Sequence, residues 1–174
     1  MSDLTRIPHD LDERAQTCRA IVETPKGGRG KLAYDPASGA FELKRMLPDG
    51  MSFPLDFGFI PSTRGEDGDP VDILILNDEP SAVGTLLAVR LIGVIEADQT
   101  EQGETVRNDR ILAVAQVSHL FERVRSPADL GDEALRNLQQ FWVNYGALRG
   151  ARFEVLNVAG PEWAAALVAK STFG

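Results

Sequence analysis

The most informative part of the sequence is an acidic loop (residues 66–72) that runs into an apolar strand: Glu66-Asp67-Gly68-Asp69-Pro70-Val71-Asp72-Ile73-Leu74-Ile75-Leu76. Three carboxylates, those of Asp67, Asp69 and Asp72, fall within six residues. Neither a helix nor a strand would place all three on one face, so they can converge only through bends at Gly68 and Pro70. Crowded carboxylates gain affinity for protons unless a cation is present, and hard cations such as Mg²⁺ prefer oxygen ligands. The loop therefore predicts a site for divalent metal and phosphate.

Competing types of site fit the sequence less well. A solvated acidic turn is the simplest alternative, but Asp72 leads directly into the apolar strand and is expected near the core boundary. An EF-hand needs glycine at the sixth position of its loop, where this chain has Asp72. A nucleophile–histidine pair lacks a surrounding motif, since His9 and His119 are the only histidines. The glycine-rich residues 25–31 lack the spacing and the Ser/Thr of a P-loop, and we interpret them as a flexible basic turn.

Composition limits the class of protein. The 174 residues suit one domain, 1–174, and a hydrophobic content of 43% is enough for a core. The formal net charge of −8 disfavours nucleic-acid binding, and it disfavours binding of a small polyanion unless metal ions mediate the contact. The apolar runs are far shorter than the roughly 20 residues of a membrane span, and the N-terminus lacks the pattern of a secretory signal. With Cys18 as the single cysteine, we expect a cytoplasmic protein with neither membrane nor nucleic acid as a partner.

The hydrophobic pattern predicts about seven short strands followed by a long helix. The strands are predicted at residues 21–24, 31–34, 40–45, 53–60, 71–76, 85–95 and 110–117. A further strand is predicted at residues 151–158, and short helices at residues 10–19 and 161–169. Turn residues at 35–39 predict a hairpin, and Ser126-Pro127-Ala128-Asp129 is typical of a helix start, with apolar residues at helical spacing up to Tyr145. The pattern is typical of an α+β protein, a small barrel with helical packing.

The chain resembles the soluble family I inorganic pyrophosphatases. The match depends mainly on residues 67–72, Asp-Gly-Asp-Pro-Val-Asp, which fit the short signature of that family. Residues 21–25 resemble its early strand ending in Glu and Pro, and residues 53–60 resemble its segment of aromatic residues around Pro and Gly. The resemblance implies an OB-like five-stranded β-barrel with additional strands and a long C-terminal helix. It also implies Mg²⁺-dependent hydrolysis of pyrophosphate to two phosphates, and a homo-oligomer, commonly a hexamer in bacteria.

The same resemblance implies a role for each candidate residue. Metal coordination is expected from five residues: Glu23, Asp67, Asp72, Asp98 and Asn108. Phosphate binding is expected from four residues: Lys31, Arg45, Arg110 and Tyr145. Asp69 matches the proposed general base of the family, and Glu23 is expected to act through a metal-bound water.

Several positions depart from the family pattern: Ala33, Phe53, Phe57, Gln99, Asn108 and Gly146. At two of them, Gln99 and Asn108, an amide stands where the family has a carboxylate, so Glu104 or Asp109 remains a candidate for the missing acid. These departures keep two alternatives open, a hydrolase of another phosphoanhydride and a catalytically weak protein that binds metal or phosphate. An OB-type nucleic-acid binder fits the suspected barrel but not the net charge of −8.

Overall fold

The structure, a computed structural model, describes residues 3–173. Its strands are β1 (Thr17–Thr24), β2 (Gly30–Asp35), β3 (Ala40–Met46), β4 (Asp56–Phe59), β5 (Asp72–Leu76), β6 (Leu86–Glu101), β7 (Glu104–Arg107), β8 (Arg110–Ala115) and β9 (Arg152–Ala159). Its helices are α1 (Asp132–Leu148) and α2 (Pro161–Ser171), with short 3₁₀ helices at Leu4–Arg6 and Pro127–Leu130. The predicted α+β class is confirmed. Within the described residues, no helix has both the length and the apolar character needed to cross a membrane.

Five strands of the main sheet pair in a continuous cycle. β1 pairs with β4, β4 with β5, β5 with β8, β8 with β6, and β6 pairs with β1. The β5–β8 pair is parallel and the other four pairs are antiparallel. β7 and β9 both extend the sheet from the long strand β6, while β2 and β3 form a separate hairpin. The long strand therefore connects the cycle to its extensions.

The apolar run after the acidic loop is buried on both of its faces. Ile73 and Ile75 belong to a core cluster that includes buried residues of α2, whereas Leu74 and Leu76 belong to a second cluster that includes α1. Successive side chains of a strand point to opposite faces, so a strand covered on both sides needs apolar residues at every position. This packing explains the uninterrupted apolar sequence of β5.

The helix predicted at residues 10–19 was wrong. Asp10 and Gln16 have positive φ angles of 50° and 57°, and an isolated bridge between Asp12 and Thr17 closes a tight turn there. Thr17 then begins β1, which pairs with β6 over five residue pairs. Non-local strand pairing has overridden the local helix propensity.

The segment at residues 96–109, predicted as a polar connection, is mostly strand. β6 continues to Glu101 and returns as β7 through a two-residue turn. Both turn residues, Gln102 and Gly103, have positive φ angles of 51° and 81°, as hairpin turns of this length require.

Gly58 lies where strands β1 and β4 approach each other closely. A substitution at this position therefore tests the strand register. A Cβ atom at Gly58 would lie 1.9 Å from the Ile21 carbonyl oxygen in β1. Because backbone cannot yield as a side chain can, we expect Gly58→Ala to lower the free energy of unfolding by more than about 2 kcal/mol. Gly160→Ala is the control, since its nearest neighbour is the flexible Glu162 carboxylate at 3.3 Å. Urea unfolding curves measure both, and a Gly58→Ala variant as stable as the control would contradict the described register.

Candidate active site

The acidic loop meets Arg110, which forms the floor of the site, where two parallel strands begin. Asp72 opens β5 and Arg110 opens β8, and the two residues are register partners. Their side chains form an ion pair, with Arg110 Nη1 2.5 Å from Asp72 Oδ2. Upstream, the Asp69 N–H donates to Asp67 Oδ1 at 3.1 Å, and Gly68 has a φ of 91°, a conformation that glycine adopts readily. The bend predicted at Gly68 is therefore confirmed.

A cleft of about 1090 Å³ opens above this edge of the sheet. It is bounded by the acidic loop, the β2–β3 hairpin, the β6–β7 hairpin and one face of α1. The cleft brings together nine of the ten predicted site residues: Glu23, Lys31, Arg45, Asp67, Asp69, Asp72, Asn108, Arg110 and Tyr145. Residues that are far apart in the sequence thus form one site.

Asp98 is the predicted site residue that the fold does not bring to the cleft. Its register partner in β7 is Arg107, on the face where Arg107 also bonds Glu96 and Asp109. The next residue, Gln99, lies on the opposite face of β6 and lines the cleft. Because successive side chains of a strand point to opposite faces, the cleft receives the Gln99 amide and not the Asp98 carboxylate.

The two alternative carboxylates have different positions. Glu104 lines the cleft at the start of β7. Asp109 lies outside it, where its carboxylate accepts hydrogen bonds from the Arg107 guanidinium at 2.6 Å and from the Ala97 N–H at 3.0 Å. Of the two, Glu104 alone is placed to serve this cleft.

Basic side chains line the cleft of this acidic protein alongside seven Asp and Glu residues. Six of the chain's 18 lysines and arginines line it: Lys31, Lys44, Arg45, Arg64, Arg110 and Arg149. Lys31 and Arg45 are direct register partners in the β2–β3 hairpin, and like charges placed opposite each other destabilise a strand pair. Such a pair is better tolerated when an anion lies between its members, so the hairpin side of the cleft is suited to an anion despite the net charge of the chain.

Burial and aromatic contact hold Lys31 in place. Its Nζ lies 3.7 Å from Glu23 Oε2 and 3.8 Å from the centroid of the Phe57 ring. The other Glu23 oxygen accepts the Tyr34 N–H at 2.7 Å. Burial lowers the pKa of the Lys31 ammonium, and burial also raises the pKa of the Glu23 carboxyl against the opposing effect of Lys31. Phe57 is buried and also forms a cation–π contact with Lys31.

The carboxylates of the acidic loop have the electrostatics of a cation site. Asp67 and Asp69 open onto the cleft, yet partial desolvation by its walls, followed by repulsion from Asp72, raises the pKa of each carboxyl. Among residues 3–173, no three His, Cys, Asp or Glu side chains are close enough to form a preformed metal cluster. The oxygen donors and their mutual repulsion nevertheless fit a hard divalent cation, which would relieve that repulsion.

A second wall of the cleft, the amide wall, is formed by Gln99 and Asn108 and has different chemistry. The Asn108 amide Nδ2 donates to Gln99 Oε1 at 3.0 Å, and Asn108 Oδ1 accepts a hydrogen bond from Arg110 Nη1. Both amide oxygens therefore already have protein donors, and a guanidinium occupies the space beside Asn108. This wall fits a divalent cation poorly, because neutral oxygens next to a fixed positive charge attract it weakly.

Two cleft residues on α1, Trp142 and Arg149, were not predicted from the sequence. Both lie within about one helical turn of Tyr145, at the i−3 and i+4 positions that share a face with it. Arg149 is the C-cap of α1, and its Nη2 lies 3.5 Å from Glu101 Oε2. A side chain at position 146 would be crowded, because a Cβ on Gly146 would lie 3.2 Å from Phe153 Cβ in β9. Helical spacing around Tyr145 was the signal that could have identified both residues.

Comparison with known sequences agrees with this geometry. The inorganic pyrophosphatase family model matches residues 20–173. The inorganic pyrophosphatase of Thermus thermophilus is 30% identical over 160 residues, which cover 92% of this chain and 89% of the relative. That of Geobacillus stearothermophilus is 33% identical over 149 residues, covering 86% and 88% respectively.

Solved structures give the same result. The crystal structure of the Thermus thermophilus inorganic pyrophosphatase superposes with a TM-score of 0.88 at 28% identity, covering 98% of this chain and 97% of that one. The enzyme from Neisseria gonorrhoeae superposes with a TM-score of 0.87 at 27% identity, covering 97% and 96%. With its acidic loop, the basic residues of its cleft and these relatives, the chain belongs to the inorganic pyrophosphatase family.

Proposed function

We propose that this protein hydrolyses inorganic pyrophosphate to two phosphates with the help of Mg²⁺. The observation that carries the proposal is the meeting, in one cleft, of a carboxylate loop and six cationic side chains. Carboxylates alone would repel pyrophosphate, and cations alone would bind it without activating water. Relatives named inorganic pyrophosphatase share most of the length of the chain.

Fixed cations on three sides hold the substrate oxygens. Lys31 and Arg45 project from the hairpin, and Arg45 Cζ lies 5.9 Å from the centroid of the Tyr145 ring. The planar fork of Arg45 can donate to two phosphate oxygens at once. Burial raises the pKa of the Tyr145 hydroxyl, so the residue stays a neutral donor at physiological pH. Arg110 supplies a further charge from the floor.

Asp67 and Asp72 would hold Mg²⁺, with Glu23 reached through a water. When bound, a divalent cation neutralises phosphate charge and makes water a better nucleophile near neutral pH. We leave Asp98 out of this ligand set, since it faces away from the cleft. We also leave out Asn108, because its oxygen already accepts a hydrogen bond from Arg110.

Asp69 is the proposed general base. Its carboxylate opens onto the cleft within the acidic loop, and desolvation with repulsion from Asp72 raises its pKa. A raised pKa strengthens a carboxylate as a base, so Asp69 can take a proton from the attacking water as the oxygen bonds to phosphorus. The bond between that phosphorus and the bridging oxygen breaks, the second phosphate leaves with the bridging oxygen, and the proton passes from the Asp69 carboxyl to a phosphate product.

We further propose three properties of the whole protein. Residues 1–174 form one pyrophosphatase-like domain, and the cycle of five paired strands corresponds to an OB-like barrel. The protein works in the cytoplasm. It also assembles as a homo-oligomer, an expectation that depends on the family resemblance and that light scattering can measure.

The activity test uses purified protein with pyrophosphate. We expect phosphate release with Mg²⁺ and its loss in EDTA, because the substrate charge is then no longer neutralised. If no phosphate appears above the buffer rate across a wide range of Mg²⁺, the protein is better described as a metal- or phosphate-binding homologue.

Replacement of the proposed base gives a second test. Asp69→Asn keeps size and shape but removes the proton acceptor, so activity should fall by roughly 10²–10⁴-fold. In EDTA at neutral pH, the Asp69→Asn variant should melt at a temperature no lower than that of the wild type. The reason is that the folded state disfavours the charged Asp69 carboxylate. Asp98→Asn is the matched control and should stay near full activity. Full activity in Asp69→Asn, or an equal loss in both variants, would reject the assignment.

Adding a carboxylate to the amide wall gives a third test. Asn108→Asp should leave the Mg²⁺ concentration for half-maximal activity unchanged, because Arg110 already donates to this side chain and would pair with the new carboxylate. Asn144→Asp adds the same charge on the exposed part of α1 and should leave that concentration unchanged. Metal titrations at fixed pH compare the proteins. A Mg²⁺ requirement about tenfold lower in Asn108→Asp, with no change in Asn144→Asp, would mean that this wall does reach the metal.

A further inference from the structure

Two buried donors without acceptors lie together on the floor of the cleft. Among the described residues, four buried side-chain nitrogens lack a hydrogen-bond partner, and two of these are Arg110 Nε and Trp142 Nε1. Both residues line the cleft, although Arg110 is only 4% exposed and Trp142 only 1%. A buried donor left without an acceptor costs free energy and is rare in native proteins.

The two donors are neighbours. Arg110 Cζ lies 4.6 Å from the centroid of the Trp142 ring, a cation–π contact that fixes the guanidinium over the indole. On its other side, Arg110 Nη1 is held by Asp72 Oδ2 at 2.5 Å and by Asn108 Oδ1. The guanidinium is therefore fixed in position, while its Nε–H has no acceptor.

The surroundings favour an anion over a metal. Gln99 and Asn108 form a neutral amide pair at this wall, so Asp72 is the carboxylate nearest to Arg110, and it is already paired. The Arg110 guanidinium also lies near the apolar rings of Phe57 and Phe153, whose centroids are 5.9 and 5.4 Å away. In such a low-dielectric floor, a charge-assisted hydrogen bond is stronger than in water.

We propose that Trp142 Nε1–H and Arg110 Nε–H form a subsite that binds a phosphate oxygen directly, without an intervening metal. The inference deepens the proposed function, since it names a new substrate-binding residue in the same cleft. The ligand class is a tetrahedral phosphate oxyanion, either free phosphate or one end of pyrophosphate. Trp142 acts as a binding residue that supplies a neutral donor, whereas Arg110 supplies the charge.

The test measures binding of inorganic phosphate in EDTA by calorimetry. Wild-type protein should bind phosphate without metal, and Trp142→Phe should weaken that binding by roughly tenfold, because it removes one donor to a charged oxygen. Trp163→Phe is the matched control, since Trp163 is 60% exposed and its indole donates to Glu96, away from the cleft. Its affinity for phosphate should equal that of the wild type.

An NMR measurement on the wild type avoids dependence on the folding of a variant. The chain has two tryptophans, so the Trp163→Phe control alone assigns both indole N–H signals. Phosphate should shift the Trp142 signal while the Trp163 signal stays in place. Absence of metal-free binding, equal affinity in Trp142→Phe and wild type, or an unmoved Trp142 signal would each overturn the subsite. Pyrophosphate hydrolysis is measured on the same samples. Hydrolysis with an unmoved signal rejects the subsite alone, and a shifted signal without hydrolysis rejects the enzymatic function alone.

Discussion

The ion pair between Arg110 and Asp72 joins the two halves of the site. It exists because β5 and β8 run parallel and begin at the same edge of the sheet, so their first residues are register partners. One strand carries the acidic loop at its N-terminal end, and the other carries the cationic floor. A shift of one residue in this register would turn one of the two side chains to the opposite face and separate the carboxylates from the guanidinium. The geometry of the cleft therefore depends on how these two apolar strands pair.

Burial in the cleft disfavours the charged forms of several ionisable side chains, and bound ligands can offset this cost. Desolvation lowers the pKa of Lys31 and raises the pKa of Glu23, Asp67 and Asp69, so each group is pushed toward its neutral form. For the three acids, the folded protein binds more protons than the unfolded chain above the ordinary carboxyl pKa. Stability without metal therefore falls as pH rises through the raised values. A bound divalent cation reverses this trend for the three acids, which couples folding to metal binding.

Much of the fold could be predicted from local patterns. The hairpin turn at residues 35–39 joins β2 to β3, and the Ser126–Asp129 capping box is present at the 3₁₀ helix that precedes α1. The site residues were harder to predict, because they depend on which face of a strand each side chain occupies and not only on the pattern of polar and apolar residues. Asp98 and Gln99 are both polar in a polar stretch, so the sequence does not indicate which of them faces the cleft. The turn at Gln102 and Gly103 determines that choice through the β6–β7 register.

Long-range packing determines the features that single segments do not reveal. Residues 10–16 form a turn because the following strand pairs with β6, a contact about 70 residues away in sequence. Trp142 fits the apolar spacing of α1, and nothing in that spacing indicates that its indole N–H lacks a partner. That property emerges only when α1 packs over Arg110.

We propose different roles for two parts of the cleft, with divalent cations bound at the acidic loop and phosphate oxygens bound directly at the floor. A crystal structure with Mn²⁺ and imidodiphosphate, a non-hydrolysable analogue, would locate both ligands at once, since the anomalous signal identifies the metal. We expect Mn²⁺ peaks at the carboxylates of Asp67 and Asp72, and an analogue oxygen within hydrogen-bond distance of Arg110 Nε and Trp142 Nε1. A Mn²⁺ peak coordinated by Gln99 and Asn108, with no analogue oxygen near Trp142, would contradict this division of roles.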